Sequence, residues 1–571
     1  MSTVCLASRD PDTLGRTSLL NKANREYPWD HTFIPNYSML YEPGTRHPKL
    51  WQALTAGMLD GVPKAEIPQR GSSYMKMRQE TGLPPIKRLI FDRVRDFLGS
   101  FVNGNPLHSP ESYTNLFGGD PLPEAAEHWA DDDFFTWQRL AGPNPVMLQQ
   151  LSSPPAEFAI DDDRLPGELT LSGLATSGAL YLCDYAYLED IPRQVHDGTQ
   201  VHAPPAKALF AMIDGRLQPL AIQLGQSAAP STVFTPTDGP GWTMAKLVVQ
   251  TADLNVHEII THLARTHFTL EGVAVATSRT LSCRHPIHAL LWPHLRFLIF
   301  NNFEGRELLL NPTGWASKLL AGGTAGNLEL LERSRLGYPE RNIPPWDIDS
   351  WHFPKELAAR GVDDPAQLPD YPFRDDGLLI WNEIGVFVRE YVQHFFDDDA
   401  TVRADEETQT WARELASSMG AGLRGVSGKL EDREALSDLL HRILWASGPL
   451  HCAVNYPQYE YMSFVPNMPA GLYDAPWERS ETVDAECIMK MLPPTEQASL
   501  QIFTVKELTS FRYDRLGHYP TGSFPSEVMP IITRFQAGLD RASSEIKRAD
   551  AARPWRYPYL HPALILNSAS I

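Results

Sequence analysis

Cysteine is scarce in this chain of 571 residues. Only five cysteines occur, at Cys5, Cys183, Cys283, Cys452 and Cys487, and no two of them form a Cys-x-x-Cys pair. Their odd number and wide scatter argue against a disulfide framework and against a metal site built from thiolates. The pattern is typical of a reducing compartment, so we expect a cytoplasmic location.

Long apolar runs are also missing. The most apolar stretch, residues 289–300, contains His294 and Arg296 and falls well short of the roughly 20 residues that span a bilayer. The first residues reach Arg9 and Asp10 before any apolar region develops, so a secretory signal is not expected. Residues 289–300 are instead predicted to form a buried helix.

Positive charge is in deficit. Lys and Arg number 50 against 70 Asp and Glu, giving a net charge of -20, which opposes binding to a phosphate backbone. With no local basic patch, no nucleic-acid partner is expected. Acidic runs at 131–133, 161–163 and 397–399 are interpreted as solvated surface.

Helical periodicity dominates the second half of the sequence. Long apolar-rich segments around 256–275, 288–310, 377–396 and 434–447 predict helices, whereas short β-like runs within 169–233 predict a small sheet. We therefore predict a mainly α fold with a small β-sheet subregion at about 167–235. Without repeats or linkers, residues 86–571 are predicted to form one large domain, and residues 1–85 an irregular extension packed on it.

Three histidines recur at five-residue intervals in His257-Glu-Ile-Ile-Thr-His262-Leu-Ala-Arg-Thr-His267. On a regular α-helix, five residues leave neighbouring histidines about 140° apart, too far for both to bind one ion. A π-type turn brings positions i and i+5 toward the same face, and such turns are frequent at functional sites. We predict that a π-type turn lets two of these histidines converge; a histidine satisfied within the core is the alternative.

A second pair of polar residues, His451 and Asn455, lies in an apolar segment at a spacing that puts both on one face of a regular helix. A buried imidazole and a buried amide need partners; a shared metal would satisfy both, and a simple hydrogen-bonded pair is the alternative. Neutral imidazoles without thiolates suit iron or manganese better than structural zinc. A zinc hydrolase is disfavoured because no His-Glu-x-x-His motif is present.

Taken together, these motifs resemble the lipoxygenase family. The family pattern W-x-x-A-K, His-x4-His-x4-His, His-x3-Asn and a terminal isoleucine is matched here by 242–246, 257–267, His451 with Asn455, and Ile571. The segments GPNPVMLQQL, PLAIQLGQ, HPIHALLWPHLRF, YPFRDDGLLIW and HCAVNYPQY also read like family segments in the same order. The resemblance covers about residues 86–571.

The resemblance implies one non-haem iron, with manganese as the alternative metal. Its ligands would be His262, His267, His451, the weak or variable ligand Asn455, and the main-chain carboxylate of Ile571. His257 would not bind the metal, while Glu258 and Gln458 would orient the ligands through hydrogen bonds. No separate catalytic side chain is implied, because a metal-bound hydroxide would accept the hydrogen atom.

The implied activity is regio- and stereospecific dioxygenation of polyunsaturated fatty acids to conjugated hydroperoxides. The substrates would be dioxygen and a fatty acid of the linoleic, linolenic or arachidonic type, handled by a monomer. No strand-rich segment corresponding to the family's N-terminal β-sandwich precedes the catalytic region, so the chain resembles a mini-lipoxygenase. A helix predicted at 86–101 could provide a peripheral membrane contact.

Six residues match positions that line the family's substrate channel: Leu254, Leu263, Gly305, Leu309, Leu319 and Leu320. Gly305 resembles the glycine of R-type lipoxygenases, since a missing methyl group leaves space for dioxygen; helix packing is the alternative reading. The leucines are equally compatible with ordinary core packing. Two other functions remain open, a fatty-acid hydroperoxide isomerase and a non-catalytic lipid-binding protein on the same scaffold.

Overall fold

The structure is a computed structural model that describes residues 4–27, 107–510, 512 and 514–571. The helix predicted at 86–101 and most of the predicted extension at 1–85 lie outside the described residues. Within them, no helix combines the length and apolar character needed to cross a membrane.

Helices make up most of the described chain, as predicted. The α-helices in the first part of the chain are α1 (Thr13–Glu26), α2 (Ala125–His128), α3 (Asp132–Ala141) and α4 (Leu171–Thr176). The middle of the chain holds α5 (Pro240–Val256), π1 (His257–Phe268), α6 (Thr269–Thr280), α7 (Pro286–Leu295), α8 (Leu298–Gly305), π2 (Arg306–Leu310), α9 (Trp315–Leu319), α10 (Gly323–Leu336) and α11 (Phe353–Ala359).

The remaining helices are α12 (Pro372–Phe395), α13 (Asp399–Ala404), α14 (Glu406–Ala416), α15 (Arg433–Trp445), π3 (Ala446–Leu450), α16 (His451–Asn455), α17 (Gln458–Met462), α18 (Ala485–Met491), α19 (Thr495–Ser510) and α20 (Met529–Asp550). The 24-residue helix α12 packs against both α15 and α20. Close approach of α11 and α15 to α12 depends on Gly377, where an added Cβ would lie 2.6 Å from the ring of Phe353.

The predicted small sheet is present, although it begins earlier than expected, at Gln149. Its five antiparallel strands are ordered β1 (Gln149–Gln150), β2 (Leu180–Asp184), β5 (Lys207–Ile213), β6 (Arg216–Gln223) and β7 (Val233–Phe234), with β3 (Val195–His196) and β4 (Thr199–Gln200) in a separate hairpin. Asp214 and Gly215 both have positive φ and join β5 to β6 in the two-residue turn that suits the strand twist.

The single helix predicted at 289–300 is broken in the structure. Helix α7 ends at Leu295, and Phe297 takes a left-handed conformation (φ 63°) before α8 begins. The break coincides with contacts from the last residues of the chain, because the Ser568 hydroxyl donates to the Arg296 carbonyl and His294 hydrogen-bonds to the Asn567 carbonyl. One large apolar core spans the helices, and a smaller cluster lies against the sheet.

Candidate metal centre

The predicted π-type turn is confirmed, and it is longer than a single turn. It occupies twelve residues, His257–Phe268, between the regular helices α5 and α6. Two threonine hydroxyls supply extra hydrogen bonds along the widened helix: Thr266 donates to the His262 carbonyl, and Thr269 donates to the Ala264 carbonyl at 2.8 Å. The five-residue histidine spacing was the signal of this geometry in the sequence.

Another π segment, π3, directly precedes His451, and it was not predicted from the sequence. Pro449 lies inside π3 and has no N–H to donate, which favours a departure from the regular α ladder at this point. Gly448 also allows close approach of the chain end, because an added Cβ would lie 2.6 Å from the Leu566 carbonyl oxygen. The unusual geometry therefore occurs in both helices that carry the predicted ligands.

The two helices bring His262, His267 and His451 together in the interior. His267 Nε2 lies 3.2 Å from His262 Nε2 and 3.0 Å from His451 Nε2. The ligand atoms of all three residues lie within 4.8 Å of one another, and the three side chains are buried. Three imidazole nitrogens that surround a common point form a candidate site for a metal ion.

The partners of the Nδ1 atoms define which ring nitrogen carries the proton in His262 and His267. His267 Nδ1 lies 3.0 Å from Asn302 Oδ1, while the Asn302 amide nitrogen donates to the His267 carbonyl and to Glu271. His262 Nδ1 lies 3.5 Å from the Glu258 carboxylate. Amide and carboxylate oxygens only accept, so the Nδ1 atoms of His262 and His267 carry the protons and their Nε2 lone pairs face each other.

Burial keeps these imidazoles neutral. It lowers the pKa of His267 to about 3, lowers that of His262, and lowers that of His451 well below its ordinary value. Burial alone would raise the pKa of Glu258, but hydrogen bonds with His257 and His262 outweigh it and lower that pKa to about 2. The site therefore combines neutral nitrogen donors with one half-buried carboxylate, that of Glu258, beside them.

His257 does not join the cluster. Its Nε2 donates to the Val454 carbonyl at 2.8 Å, and its ring stacks on that of His262 with centroids 5.6 Å apart. The first histidine of the series thus ties π1 to α16, and it is not part of the group of converging nitrogens formed by the other three.

Asn455 lies one helical turn after His451 on α16. Its Oδ1 accepts from Gln458 Nε2 at 2.9 Å, and its Nδ2 donates to the Leu508 carbonyl at 2.8 Å. Both side chains are fully buried, so Gln458 holds the orientation of the Asn455 amide.

The end of the chain packs beside the same helices. Asn567 is held from several directions: its N–H donates to Asp514 at 2.9 Å and its Nδ2 to the His518 carbonyl at 2.8 Å. Leu566 N–H donates to the Cys452 sulfur, adjacent to His451. Residues 565–570 are buried, and Ile571 is half-buried against the core. The segment that bears the fifth predicted ligand is thus docked on π3 and α16.

A chain of polar contacts behind His267 was not predicted from the sequence. Glu271 accepts from Asn302 at 2.7 Å and from Arg306 Nη2 at 2.5 Å, so Asn302 is fixed between His267 and an ion pair. Burial raises the pKa of Glu271. The sequence shows only a pair of asparagines, Asn301 and Asn302, in the otherwise apolar segment 297–303, which did not indicate this role.

The W-x-x-A-K motif has a structural role that corrects one interpretation. Trp242 Nε1 donates to Asp132 Oδ1 at 2.8 Å, and Lys246 Nζ donates to the same oxygen at 2.6 Å. Asp132 begins α3, so at least one residue of the acidic run 131–133 joins α3 to α5 and is not merely solvated surface.

The residues predicted to line a channel occupy two kinds of environment. Leu254, Leu319 and Leu320 are buried, whereas Leu263 and Leu309 are half-buried against the main core. Gly305 ends α8, and among the described residues a methyl group added there would meet the Leu309 Cδ1 at 3.9 Å. Gly305 and Leu309 are therefore neighbours, and their roles in a channel stay predictions.

Comparisons with known proteins show to which family the chain belongs. The sequence model of the Lipoxygenase family matches residues 120–551. The linoleate 9/13-lipoxygenase of Pseudomonas aeruginosa is 35% identical over 514 residues, which cover 85% of this chain and 73% of that protein. A hydroperoxide isomerase of Homo sapiens is 33% identical over 457 residues, which cover 78% of this chain and 63% of that protein.

The fold comparison gives the same result. The crystal structure of a coral 8R-lipoxygenase matches with a TM-score of 0.85 and 27% sequence identity, covering 100% of this chain and 83% of that one. The mainly α architecture is thus that of a lipoxygenase catalytic domain. This chain belongs to the lipoxygenase family.

Proposed function

We propose that this protein is a fatty-acid dioxygenase that holds one non-haem iron between His262, His267 and His451. The observation that carries the proposal is the convergence of three buried, neutral imidazole nitrogens on one point. Membership of the lipoxygenase family supports the same activity.

The cluster fits a metal ion on chemical grounds. Two Nε2 lone pairs 3.2 Å apart repel each other unless a cation lies between them. Nitrogens about 2.1 Å from one ion and about 90° apart would be separated by about 3.0 Å, close to the observed spacings. A set of neutral nitrogens without thiolate suits iron, with manganese as the alternative.

Bound iron would supply a one-electron acceptor able to take a hydrogen atom from a doubly allylic methylene. The protein residues hold that centre in a water-poor interior: Glu258 and Asn302 fix two imidazole rings, and Gln458 fixes the Asn455 amide. Asn455 and the Ile571 carboxylate are proposed as the fourth and fifth ligands. The docking of 566–570 on π3 and α16 supports the latter role.

The Ile571 ligand can be tested by adding residues after it, which replaces the carboxylate by a neutral peptide group. We expect a variant extended by two glycines to lose metal under dialysis with a chelator, while a variant carrying the same glycines after an internal loop residue, Asp214, retains it. Equal retention in both variants would contradict the fifth ligand.

The proposed substrate is a polyunsaturated fatty acid of the linoleic, linolenic or arachidonic type, and the proposed products are R-configured hydroperoxides. A similar protein is named for its action on linoleate, and a solved relative is an 8R-lipoxygenase. Gly305 supports the R assignment because it leaves open space beside Leu309. Leu254, Leu263, Leu319 and Leu320 are proposed to shape the rest of the channel.

Gly305→Ala tests this assignment cleanly. Among the described residues outside its own helix backbone, the added methyl group meets only the Leu309 Cδ1, at an ordinary contact distance, and alanine favours a helix over glycine by about 1 kcal/mol. The variant should therefore fold at least as well as the natural chain. We expect chiral chromatography to show a shift in both oxygenation position and configuration; an unchanged product profile would refute the role of Gly305.

A hydroperoxide isomerase is the second candidate, because a similar human protein carries that name. The two activities differ in one reactant: a dioxygenase consumes oxygen with linoleate, whereas an isomerase rearranges a supplied fatty hydroperoxide without consuming oxygen. An oxygen electrode, run first with linoleate and then with its hydroperoxide, separates them.

A further inference from the structure

A row of buried polar contacts links Arg139 of α3 to Thr261 of π1. Thr261, which immediately precedes the cluster residue His262, donates its hydroxyl to Asn144 Oδ1 at 2.9 Å. The Asn144 amide nitrogen donates to Asp253 Oδ1 at 2.8 Å, and Asp253 Oδ2 lies 2.9 Å from Arg139 Nη1. All four residues are at most 5% exposed.

These polar contacts meet the helix on both sides of the junction between α5 and π1. Asp253 belongs to the last turn of α5, and its carbonyl accepts the His257 N–H where the α-helix passes into π1. Thr261 belongs to the beginning of π1. Asn144 therefore bridges both sides of the α-to-π junction from outside the helix, with one hydrogen bond on each side.

The backbone on either side of Asn144 is restricted. Asn144 lies between Pro143 and Pro145 in the connection from α3 to β1, and prolines fix the backbone on either side. Tyr371 also donates its hydroxyl to the Pro145 carbonyl. A bridge that is stiff before it binds can impose a helix register at little entropic cost.

Arg139 lies at the other end of this row of polar contacts. Its guanidinium donates to the Tyr185 hydroxyl at 2.7 Å and to Gln250, which links the sheet and α5 to the same ion pair. Because the Asp253 carboxylate is buried, it needs this counter-charge, and it can then accept from Asn144 without shifting.

We propose that Arg139, Asp253, Asn144 and Thr261 form a positioning network that sets the register of π1 and so aims His262 and His267 at the metal. This inference rests on the proposed metal centre. The four residues are not among the proposed metal ligands or channel residues, and they act on the metal through the helix.

Thr261→Val is the direct test, since valine has nearly the shape of threonine and lacks the hydroxyl. Thr251→Val is the matched control: Thr251 is also buried, one helix earlier, and its hydroxyl donates only to the Leu247 carbonyl of its own helix. Both variants lose one buried hydroxyl, but only the first breaks the bridge across the junction. Thr261→Ser serves as the rescue, because serine keeps the hydroxyl.

Three quantities are measured on the full chain: the melting temperature of the metal-free protein, the rate of iron loss to a chelator, and the electron paramagnetic resonance line shape of the ferric protein. We expect similar metal-free melting temperatures for the two valine variants. Only Thr261→Val should lose iron about 10-fold faster, at the lower end of the losses typical of residues that orient metal ligands, and show an altered line shape. Thr261→Ser should resemble the natural chain.

Equal iron loss and equal spectra for Thr261→Val and Thr251→Val would overturn the positioning role. Should valine prevent folding at position 261, the pair Thr261→Ala and Thr251→Ala gives the same comparison with a smaller side chain. Failure of the natural chain to bind iron at all would instead refute the proposed function, so the two failures are distinguishable.

Discussion

At the scale of single residues, Asn302 shows how much of the site depends on a side chain outside the cluster. It accepts from His267 Nδ1 and donates to both the His267 carbonyl and Glu271. These bonds select the tautomer in which Nε2 is free to bind a metal. The position of Asn302 in an otherwise apolar segment was unremarkable in the sequence, because its partner lies 35 residues away.

We expect Asn302→Ala to weaken iron retention by about 10-fold, since residues that orient metal-binding histidines typically contribute at least that much. Iron content after timed exposure to a chelator measures the effect. Asn327→Ala is the control: Asn327 is similarly buried, but it lies on α10 and its amide nitrogen donates to the Ala316 carbonyl instead of to the backbone of a cluster histidine. Equal iron loss in the two variants would show that a buried asparagine stabilises the fold without orienting His267.

At the scale of helices, the site depends on how the chain end docks on π3. The Gly448 Cα faces the Leu566 carbonyl so closely that any side chain there must push the terminal segment away. Overpacking of this kind costs about 1–3 kcal/mol.

Gly448→Ala should therefore lower both the melting temperature and iron retention, despite the better helix propensity of alanine. Gly428→Ala provides the comparison, because its new methyl group would meet the Ala416 Cβ at 3.8 Å and the Arg413 Cα at 3.9 Å, both ordinary contact distances. The terminal segment would have no part in metal binding if Gly448→Ala destabilised the fold but kept its iron as well as Gly428→Ala does.

The packing of α12 on α15 gives a prediction of pH dependence. His441 stacks on Trp381 with ring centroids 3.6 Å apart, and its Nε2 donates to the Trp381 carbonyl at 2.8 Å. Burial lowers the pKa of His441 to about 3. The folded chain keeps this ring neutral while the unfolded chain protonates it below about pH 6.5, so its contribution to stability is present above that pH and is lost as the pH falls.

His441→Gln keeps an N–H donor and cannot titrate. We expect the stability of the natural chain relative to this variant to fall by about 2 kcal/mol between pH 7.5 and pH 5, at about 1.4 kcal/mol per pH unit below 6.5. Urea unfolding of both proteins at the two pH values gives the difference, in which other titrating groups cancel. A difference independent of pH would mean that the folded chain protonates His441 readily.

At the scale of the whole molecule, the sequence predicted the features that repeat locally and missed those that depend on distant contacts. The five-residue histidine spacing predicted π1, and the β-like runs predicted β2, β5 and β6, because each pattern is set by neighbours along the chain. The break at Phe297 and the π segment before His451 were not predicted. Both lie against residues 566–568, more than a hundred positions later.

The residues of the candidate site show the same difference between local patterns and distant contacts. Spacing indicated that two of the three histidines at 257, 262 and 267 converge, and the family resemblance selected His262, His267 and His451. The structure brings the Nε2 atoms of these three together. The orienting residue Asn302 and the network through Asn144 were invisible, because each joins elements that only the tertiary fold makes adjacent. Motifs thus reveal the groups that react, whereas the groups that aim them require the fold.

The central claim is that this cluster supports fatty-acid dioxygenation. The most direct test follows oxygen uptake and conjugated-diene absorbance together while the iron-loaded protein acts on linoleic acid, with His451→Ala, which removes one Nε2, as the inactive comparison. We expect the natural chain to consume one dioxygen for each diene that it forms, and His451→Ala to give neither signal. Iron-loaded natural protein that forms no diene and consumes no oxygen, with linoleic or arachidonic acid, would contradict it.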